Sequence, residues 1–220
     1  MMKRRLQLFV NFLTGFCLSL LPISLAYAVS ADRASLRVSV STTTLFGGQG
    51  TSYYGSSMAG SRIGQTWQAV DTRGQIVRSQ DQVAKLHLYY FGFTQCPDIC
   101  PSGLANLSLL YEELSPEEQA QLQLVFVSID PERDTPAIMQ TYLANFAGDF
   151  MGLTGSPEQI AQMAQQFRVK YRKVPHATGY TMEHSSQFFL FDKKAQPRLF
   201  YHSDADAHKI AQDIRHILGE

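Results

Sequence analysis

Residues 86–101 read LHLYYFGFTQCPDICP and contain the two features that decide the fold. The first half, Leu86 to Phe93, is a continuous run of aliphatic and aromatic side chains, which predicts a central strand buried on both faces. The second half carries Cys96 and Cys100 at the start of a helical pattern that extends from 99 to 114. Because open α/β sheets form their sites where a strand leads into the next helix, both cysteines are expected at such a site.

The segments on either side alternate between strand and helix patterns. They are an N-terminal hairpin over 65–77 with its turn at 71–74, a buried strand over 122–129, a helix over 136–146 capped by Asp134 or Thr135, a helix that starts at 156–158, a hairpin over 186–201 and a closing helix over 204–218. Short connections and right-handed crossovers leave few ways to wind this order. We therefore predict an α/β, thioredoxin-like fold, with a central mixed sheet flanked by helices and an added N-terminal hairpin.

The cysteines indicate redox or metal chemistry rather than a structural bridge. Cys17 lies in the N-terminal apolar run, which leaves Cys96 and Cys100 in the predicted domain. A disulfide between residues four apart closes a very short loop, and in the chain-entropy model such a loop contributes little stability. At a helix start the dipole lowers the pKa of a thiol, and the thiolate is both the nucleophile and the metal ligand.

The C-x-x-x-C spacing leaves two functions open. Dithiol-exchange enzymes usually carry C-x-x-C, and the wider spacing favours a site that can hold an ion. Two thiolates suit a soft metal such as Cu(I), and one added imidazole would complete a trigonal S₂N site. A closed structural zinc site would normally require a fourth protein ligand.

His184 is the histidine best placed to complete such a site. It stands just before the strand predicted over 187–191, in a loop expected to face the cysteine-bearing helix. From the pattern alone its role as a ligand stays open. His87 is expected in the interior or at the edge of its strand, and four histidines are expected at the surface: His176, His202, His208 and His216.

The N-terminal region predicts export. Basic residues at 3–5, an apolar run over 6–25 and the sequence Ala26-Tyr27-Ala28 follow the order of a signal peptide. The apolar run is also nearly long enough to span a bilayer, so an uncleaved membrane anchor is the alternative to cleavage after Ala28. Residues 29–63 are rich in Gly, Ser and Thr and predict a flexible segment before a domain over 64–220. We expect the domain in the periplasm or at the outer face of the inner membrane.

The charge balance argues against nucleic acid as a partner. The chain has 19 basic and 19 acidic residues, and removing 1–28 leaves 16 basic residues against 19, a net charge of about −3. Nucleic-acid binding calls for a basic patch or stripe, and the sequence contains no such stripe.

Four stretches of sequence resemble the Sco (SenC/PrrC-type) family. They are YYFGFTQCPDICP at 89–101, VFVSIDPERDTP at 125–136, FRVKYRKVP at 167–175 and EHSSQFFLFD at 183–192. The resemblance covers about 64–218 and implies that Cys96, Cys100 and His184 bind copper, as Cu(I) and possibly as Cu(II). It also implies a role in building the dinuclear copper centre of cytochrome c oxidase, as copper donor, as reductant of that centre's cysteines, or as both. In that family an Asp usually precedes the ligand histidine, whereas Glu183 does so here.

We therefore expect a copper metallochaperone rather than a classical enzyme. Its partner would be the copper-bearing subunit of cytochrome c oxidase or another copper protein. The alternative is an extracytoplasmic thiol-disulfide oxidoreductase that uses Cys96 and Cys100. A peroxidase fits poorly, because Thr94 stands two residues before Cys96 where the peroxiredoxin pattern requires three.

Some neighbouring residues have two interpretations each. Asp98 could guide a partner or tune the thiols, but capping the helix is the simpler role. Asp130 and Asp134 are expected to be caps and turn-formers, although the resemblance places their loop beside the site. Phe93 and Tyr180 could shield a metal, and core packing is the simpler role for both.

Overall fold

The computed structural model describes residues 52–220. The strands within this range are β1 (Ser56–Ser57), β2 (Gln68–Asp71), β3 (Ile76–Arg78), β4 (Leu86–Gly92), β5 (Leu122–Ser128), β6 (Phe150–Thr154), β7 (Tyr171–His176), β8 (Gly179–His184), β9 (Gln187–Phe191) and β10 (Pro197–His202). The helices are α1 (Ile99–Glu113), α2 (Pro116–Gln119), α3 (Pro136–Leu143), α4 (Pro157–Gln166) and α5 (Ala207–Leu218).

Eight of these strands form one mixed sheet in the order β1-β10-β9-β4-β5-β6-β2-β3. β4, β5 and β6 run parallel, and the remaining neighbours pair in antiparallel fashion. The hairpin of β2 and β3 joins the sheet through β6. This arrangement confirms the predicted α/β, thioredoxin-like fold with its added N-terminal hairpin.

The central position of β4 explains its largely apolar sequence. Successive side chains of a strand point to opposite faces of the sheet. Leu86, Leu88 and Tyr90 accordingly pack in the cluster formed with α1 and α5, while Tyr89 and Phe91 pack in the cluster formed with α4. Both faces are covered, and all seven residues of the strand are buried.

Local sequence signals set the starts of the helices. Thr135 caps α3 by accepting a hydrogen bond from the Ile138 N–H, which decides between the two predicted caps. Ser156 forms a capping box with Gln159 at the start of α4. Asp98 occupies the N-cap position of α1, but its side chain makes no capping hydrogen bond. Asp98 therefore has the predicted position of a helix cap but does not make the hydrogen bond of one.

The sequence-based predictions did not include β6 or the hairpin of β7 and β8. β6 begins at Phe150, directly after Gly148 and Asp149; its sequence has no clear strand pattern, and it extends the parallel part of the sheet. β7 and β8 form a separate two-stranded hairpin, so His184 is the last residue of a strand rather than part of a plain loop. In β7 only Tyr171 and Val174 are half-buried and the other residues are exposed, so the strand lacks the alternation by which a strand is recognised from sequence.

The packed region extends to the N-terminal side of Gly64, where composition placed the domain boundary. β1 pairs with β10, and Met58 is buried in the core. The carboxylate of Asp213 accepts hydrogen bonds from the N–H groups of Tyr54 (3.0 Å) and Gly55 (2.8 Å). Amino-acid composition does not reveal such pairing, because a Gly- and Ser-rich strand can still supply backbone hydrogen bonds.

The predicted leader over 1–28 and the first part of the 29–63 segment lie outside the described residues. Across residues 52–220, none of the helices combines the length and the apolar character that crossing a bilayer requires.

Candidate metal centre

Cys96 and Cys100 lie where β4 leads into α1. Cys96 is half-buried in the connecting loop, and Cys100, the second residue of the helix, is fully buried. The backbone N–H of Cys100 points to the Sγ atom of Cys96 at 3.4 Å. Both thiols are free. The loop therefore turns the Cys96 sulfur towards the unpaired N–H groups of the helix start.

Two glycines allow this close approach of the helix to the strand. A Cβ atom at Gly92 would lie 2.8 Å from the Cys100 sulfur and 2.8 Å from the Phe126 ring. A Cβ atom at Gly103 would lie 2.7 Å from the Tyr90 ring. The missing side chains thus let the Cys100 sulfur rest against the end of β4.

His184 approaches the cysteines from the hairpin of β7 and β8. Its Nε2 atom is 3.4 Å from the Cys100 sulfur. Its Nδ1 atom is 2.9 Å from the carbonyl oxygen of Ser185, and since a carbonyl can only accept, Nδ1 carries the proton. The ring also packs edge-on against Phe93, with ring centroids 6.0 Å apart. The hydrogen bond leaves the Nε2 lone pair facing the thiols, as in many metal sites.

The two sulfurs and the Nε2 atom lie within 4.8 Å of one another, and no other such group of three occurs in residues 52–220. Sulfur and nitrogen ligands of one ion lie at most about twice the metal–ligand distance apart, roughly 4.0–4.6 Å. Small side-chain movements would therefore bring all three atoms onto one ion. Two thiolates and one imidazole are the donors that a soft ion such as Cu(I) prefers.

The two thiols differ in their pKa values. A hydrogen bond from the Cys100 thiol lowers the pKa of Cys96, and contacts with His184 and with the helix N–H groups add to this effect. The same hydrogen bond raises the pKa of Cys100, and burial raises it further. Cys96 is thus the thiolate and Cys100 the proton donor, and a soft cation would displace the proton that the two sulfurs share.

Asp134 supports the loop that leads to Cys96. Its fully buried carboxylate accepts hydrogen bonds from the N–H and hydroxyl of Thr94, at 3.0 and 2.6 Å, and from the Ser128 hydroxyl at 2.7 Å. Burial raises the pKa of this carboxyl group. The predicted role of Asp134 as a helix cap is wrong, because Thr135 caps the helix and Asp134 connects β5 with the cysteine loop instead.

Asp130 also has a role beyond turn formation. It is buried, and its carboxylate accepts a hydrogen bond from the Tyr180 hydroxyl at 2.8 Å. Tyr180 is half-buried on the hairpin, and the Arg133 guanidinium lies 3.8 Å from its ring centroid. Sequence analysis did not single out Arg133, although its place between Asp130 and Asp134 in the DPERDTP motif is a signal that could have drawn attention to it.

Glu183 lies apart from the candidate ligands. Its side chain pairs with Arg172 across the hairpin, with a hydrogen bond of 2.8 Å from the arginine Nε atom. Adjacent residues of a strand point to opposite faces, so Glu183 points away while His184 points towards the thiols. The Glu183 carboxylate therefore forms its ion pair within the hairpin rather than with a candidate ligand.

The other histidines stay away from this cluster. His87 is buried in β4, and burial lowers its pKa to about 4. The four histidines predicted at the surface are all exposed: His176, His202, His208 and His216.

Known proteins resemble this chain in sequence and in fold. A family model described as SCO1/SenC matches residues 56–219. The SCO2-like protein of Rickettsia typhi is 34% identical over 157 residues, which cover 70% of this chain and 77% of that protein. The copper-bound structure of ScoI from Bradyrhizobium japonicum is 33% identical, with a TM-score of 0.66, and the match covers 70% of this chain and 99% of that one.

A more distant structure shares the fold. BsSco, described as a member of the Sco family of cytochrome c oxidase assembly proteins with a disulfide switch, is 23% identical with a TM-score of 0.58, and the match covers 71% of this chain and 93% of that one.

Proposed function

This chain belongs to the SCO1/SenC family, and we propose on that premise that it is a metallochaperone that carries copper to the dinuclear copper site of cytochrome c oxidase. Cys96, Cys100 and His184 would hold the ion. The observation that carries the proposal is the convergence of two sulfurs and one imidazole nitrogen within 4.8 Å. The copper-bound ScoI structure, whose match spans nearly all of that protein, supports copper as the metal.

The donor set favours Cu(I) as the cargo. Thiolates are soft ligands, and three ligands leave an open position on the ion. Cys96 is half-buried and His184 is half-buried, so the ion would lie near the surface. An incoming partner thiolate could then bind before a chaperone ligand leaves, and the copper would pass from one protein to the other without release into water.

A groove beside His184 gives a partner access to the site. It is open to solvent and is lined by Lys170, Tyr171, Arg172, Glu183, His184 and Ser185. We propose the copper-bearing subunit of cytochrome c oxidase as the partner, in line with the family description attached to BsSco. We propose that the protein acts in the periplasm or at the outer face of the inner membrane, in line with the leader predicted over 1–28.

The test is an anaerobic titration of the reduced protein with Cu(I) in competition with a Cu(I)-specific chelator. We expect one tightly bound ion per chain, lost in Cys96→Ser and Cys100→Ser. His184→Ala is expected to weaken binding by at least about tenfold, because loss of a residue that only orients a ligand already costs that much, while the two thiolates remain. His202→Ala is the matched control, because this histidine is exposed and lies outside the cluster. Failure of the wild-type protein to compete for Cu(I) would refute the proposal.

A second candidate function is thiol-disulfide exchange with a partner protein. The lowered pKa of Cys96 at a helix start supports it, because the thiolate is the attacking species. Cys96 would attack a partner disulfide and release one partner thiolate, and Cys100 would then resolve the mixed disulfide. The partner gains two electrons and this protein is left with a Cys96–Cys100 disulfide. His184→Ala separates the functions, since it removes a copper ligand and keeps both thiols on which the reduction of a partner disulfide depends; copper transfer should therefore be impaired far more than disulfide reduction.

A further inference from the structure

The hairpin that carries His184 is not part of the central sheet. β7 and β8 hydrogen-bond only to each other among the strands described. Only Ser185 and Ser186 join it to β9, so the chain holds the His184 end of the hairpin near the sheet. No strand pairing holds the other end, and side-chain contacts must set the orientation of the hairpin.

The face of β8 that points to the protein carries Tyr180, Met182 and His184, since alternate residues of a strand share a face. Met182 is buried in the core and anchors the middle of the strand. Tyr180 lies at the far end of the strand and contacts the loop over 129–135, which connects β5 with α3. The position of Tyr180 thus influences the orientation of the hairpin, and with it the orientation of His184 towards the cysteines.

Arg133, from the 129–135 loop, contacts both sides of the site. Its guanidinium stacks on the Tyr180 ring at 3.8 Å, and its Nη1 atom donates hydrogen bonds to the Tyr180 carbonyl oxygen at 2.9 Å and to Gln95 Oε1 at 3.0 Å. Gln95 directly precedes Cys96 in the chain. The planar guanidinium, with donors along its edges and a flat face for stacking, can make all these contacts at once, whereas a lysine could not.

Asp130 holds Arg133 in this position. Its buried carboxylate pairs with the Arg133 Nε atom through one oxygen and accepts the Tyr180 hydroxyl through the other. Its own backbone N–H donates to the Ser128 hydroxyl oxygen at 3.0 Å, which ties the loop to the end of β5. Asp130, Arg133 and Tyr180 therefore form a closed triangle of contacts, which we call the Arg133 latch.

We infer that Arg133 is a positioning residue that sets the distance between His184 and the two cysteines, and so determines whether copper is held by three ligands or by two. The inference rests on the proposed function, but its structural part holds for the metal-free protein. The latch acts through His184 and does not touch the ion. An exposed pair between Lys173 and Glu132 also links the hairpin to this loop, and as an exposed pair it contributes little.

The test compares Arg133→Gln with Arg172→Gln. Arg172 is on the same hairpin, but its carboxylate partner Glu183 is also on the hairpin, so it is a control for charge and local stability. In the metal-free protein, Arg133→Gln is expected to speed amide hydrogen exchange over 179–184 and to change the NMR signals of the His184 ring. Arg172→Gln should change the His184 ring signals much less than Arg133→Gln does, and the exchange of the β4 amides should stay slow in both.

The copper readout is a double-mutant cycle. Arg133→Gln should weaken Cu(I) binding by about tenfold to a hundredfold, the usual range for residues that orient a ligand. X-ray absorption should show loss of the nitrogen ligand with both sulfurs retained. In a His184→Ala background the same change should weaken binding by less than about twofold, since the residue through which it acts is already absent.

An equal loss of affinity in the two backgrounds, or retention of the nitrogen ligand in Arg133→Gln, would overturn the inference. If Arg133→Gln does not fold, Tyr180→Phe provides a milder test, because it removes the hydrogen bond to Asp130 and keeps the ring on which Arg133 stacks. It should produce a smaller shift of the His184 signals in the same direction, and unchanged signals would count against the latch. Absence of copper binding in the wild-type protein would refute the proposed function, and the metal-free readouts would still decide the role of Arg133.

Discussion

Replacing Gly92 by alanine tests whether close contact between β4 and α1 places the Cys100 sulfur. The added Cβ atom would lie 2.8 Å from that sulfur and 2.8 Å from the Phe126 ring, whereas ordinary van der Waals contact begins at about 3.4 Å. The sulfur and the ring must each move away by about 0.6 Å, or the strand must shift. Both neighbours are fully buried, so neither can move into solvent.

The expected magnitude follows from this crowding. Overpacking of a buried site usually destabilises a protein by about 1–3 kcal/mol. Copper binding requires the sulfur to return towards its original place, so part of the same strain opposes binding. Since about 1.4 kcal/mol corresponds to tenfold in affinity, Gly92→Ala should weaken Cu(I) binding by about tenfold or more.

Two measurements check this prediction. Chemical unfolding of the reduced, metal-free protein gives the change in the free energy of unfolding, and competition with a Cu(I) chelator gives the change in affinity. Gly219→Ala is the matched control, because a Cβ atom there would meet its nearest neighbour at 3.5 Å, and the residue follows α5 at the end of the chain. If Gly92→Ala keeps the stability and the Cu(I) affinity of the wild-type protein, a glycine is not needed there to make room for the Cys100 sulfur, and the reasoning is refuted.

Two further predictions concern the thiols and the N-terminal strand. Because the pKa of Cys96 is lowered and that of Cys100 is raised, iodoacetamide should modify Cys96 first, at a rate nearly constant from about pH 8 to about pH 6. Peptide mass spectrometry would measure the rate of modification of each cysteine. A decrease in the Cys96 rate of about tenfold per pH unit in that range would contradict the prediction. Asp213→Ala should lower the free energy of unfolding by about 2–4 kcal/mol, since it leaves the N–H of Tyr54 and the Tyr201 hydroxyl without their buried acceptor. Limited proteolysis should then cut near Tyr54 more rapidly than in the wild-type protein, and equal rates would show that Asp213 does not hold this segment.

The buried strand and the cysteine-bearing helix start could be predicted from local sequence. A largely apolar run such as Leu86 to Phe93 is expected where helices cover both faces of a sheet, and a C-x-x-x-C motif at a helix start needs no distant residue to be recognised. The β2–β3 hairpin was predicted for the same reason, because the Asp71 to Gly74 turn is a local signal.

Other features depended on residues far apart in the chain. The position of Asp134 predicts a helix cap, yet its carboxylate accepts a hydrogen bond from Thr94, which lies forty positions earlier in the chain. The Gly- and Ser-rich residues before Gly64 looked flexible, yet Asp213 binds the N–H groups of Tyr54 and Gly55 across more than 150 positions. Local sequence patterns do not indicate hydrogen-bond partners that lie so far away in the chain.

The sequence by itself determined most of the elements, the burial of β4 on both faces and the two thiols at a helix start, because hydrophobic period, turn residues and helix caps act over a few residues. Tertiary structure alone decided that the Nε2 atom of His184 lies 3.4 Å from the Cys100 sulfur, and that Arg133 lies between the cysteine loop and the hairpin. The physical reason is that His184 and Cys100 are 84 positions apart, on elements that share no backbone hydrogen bonds. Only packing of the completed fold brings their side chains together.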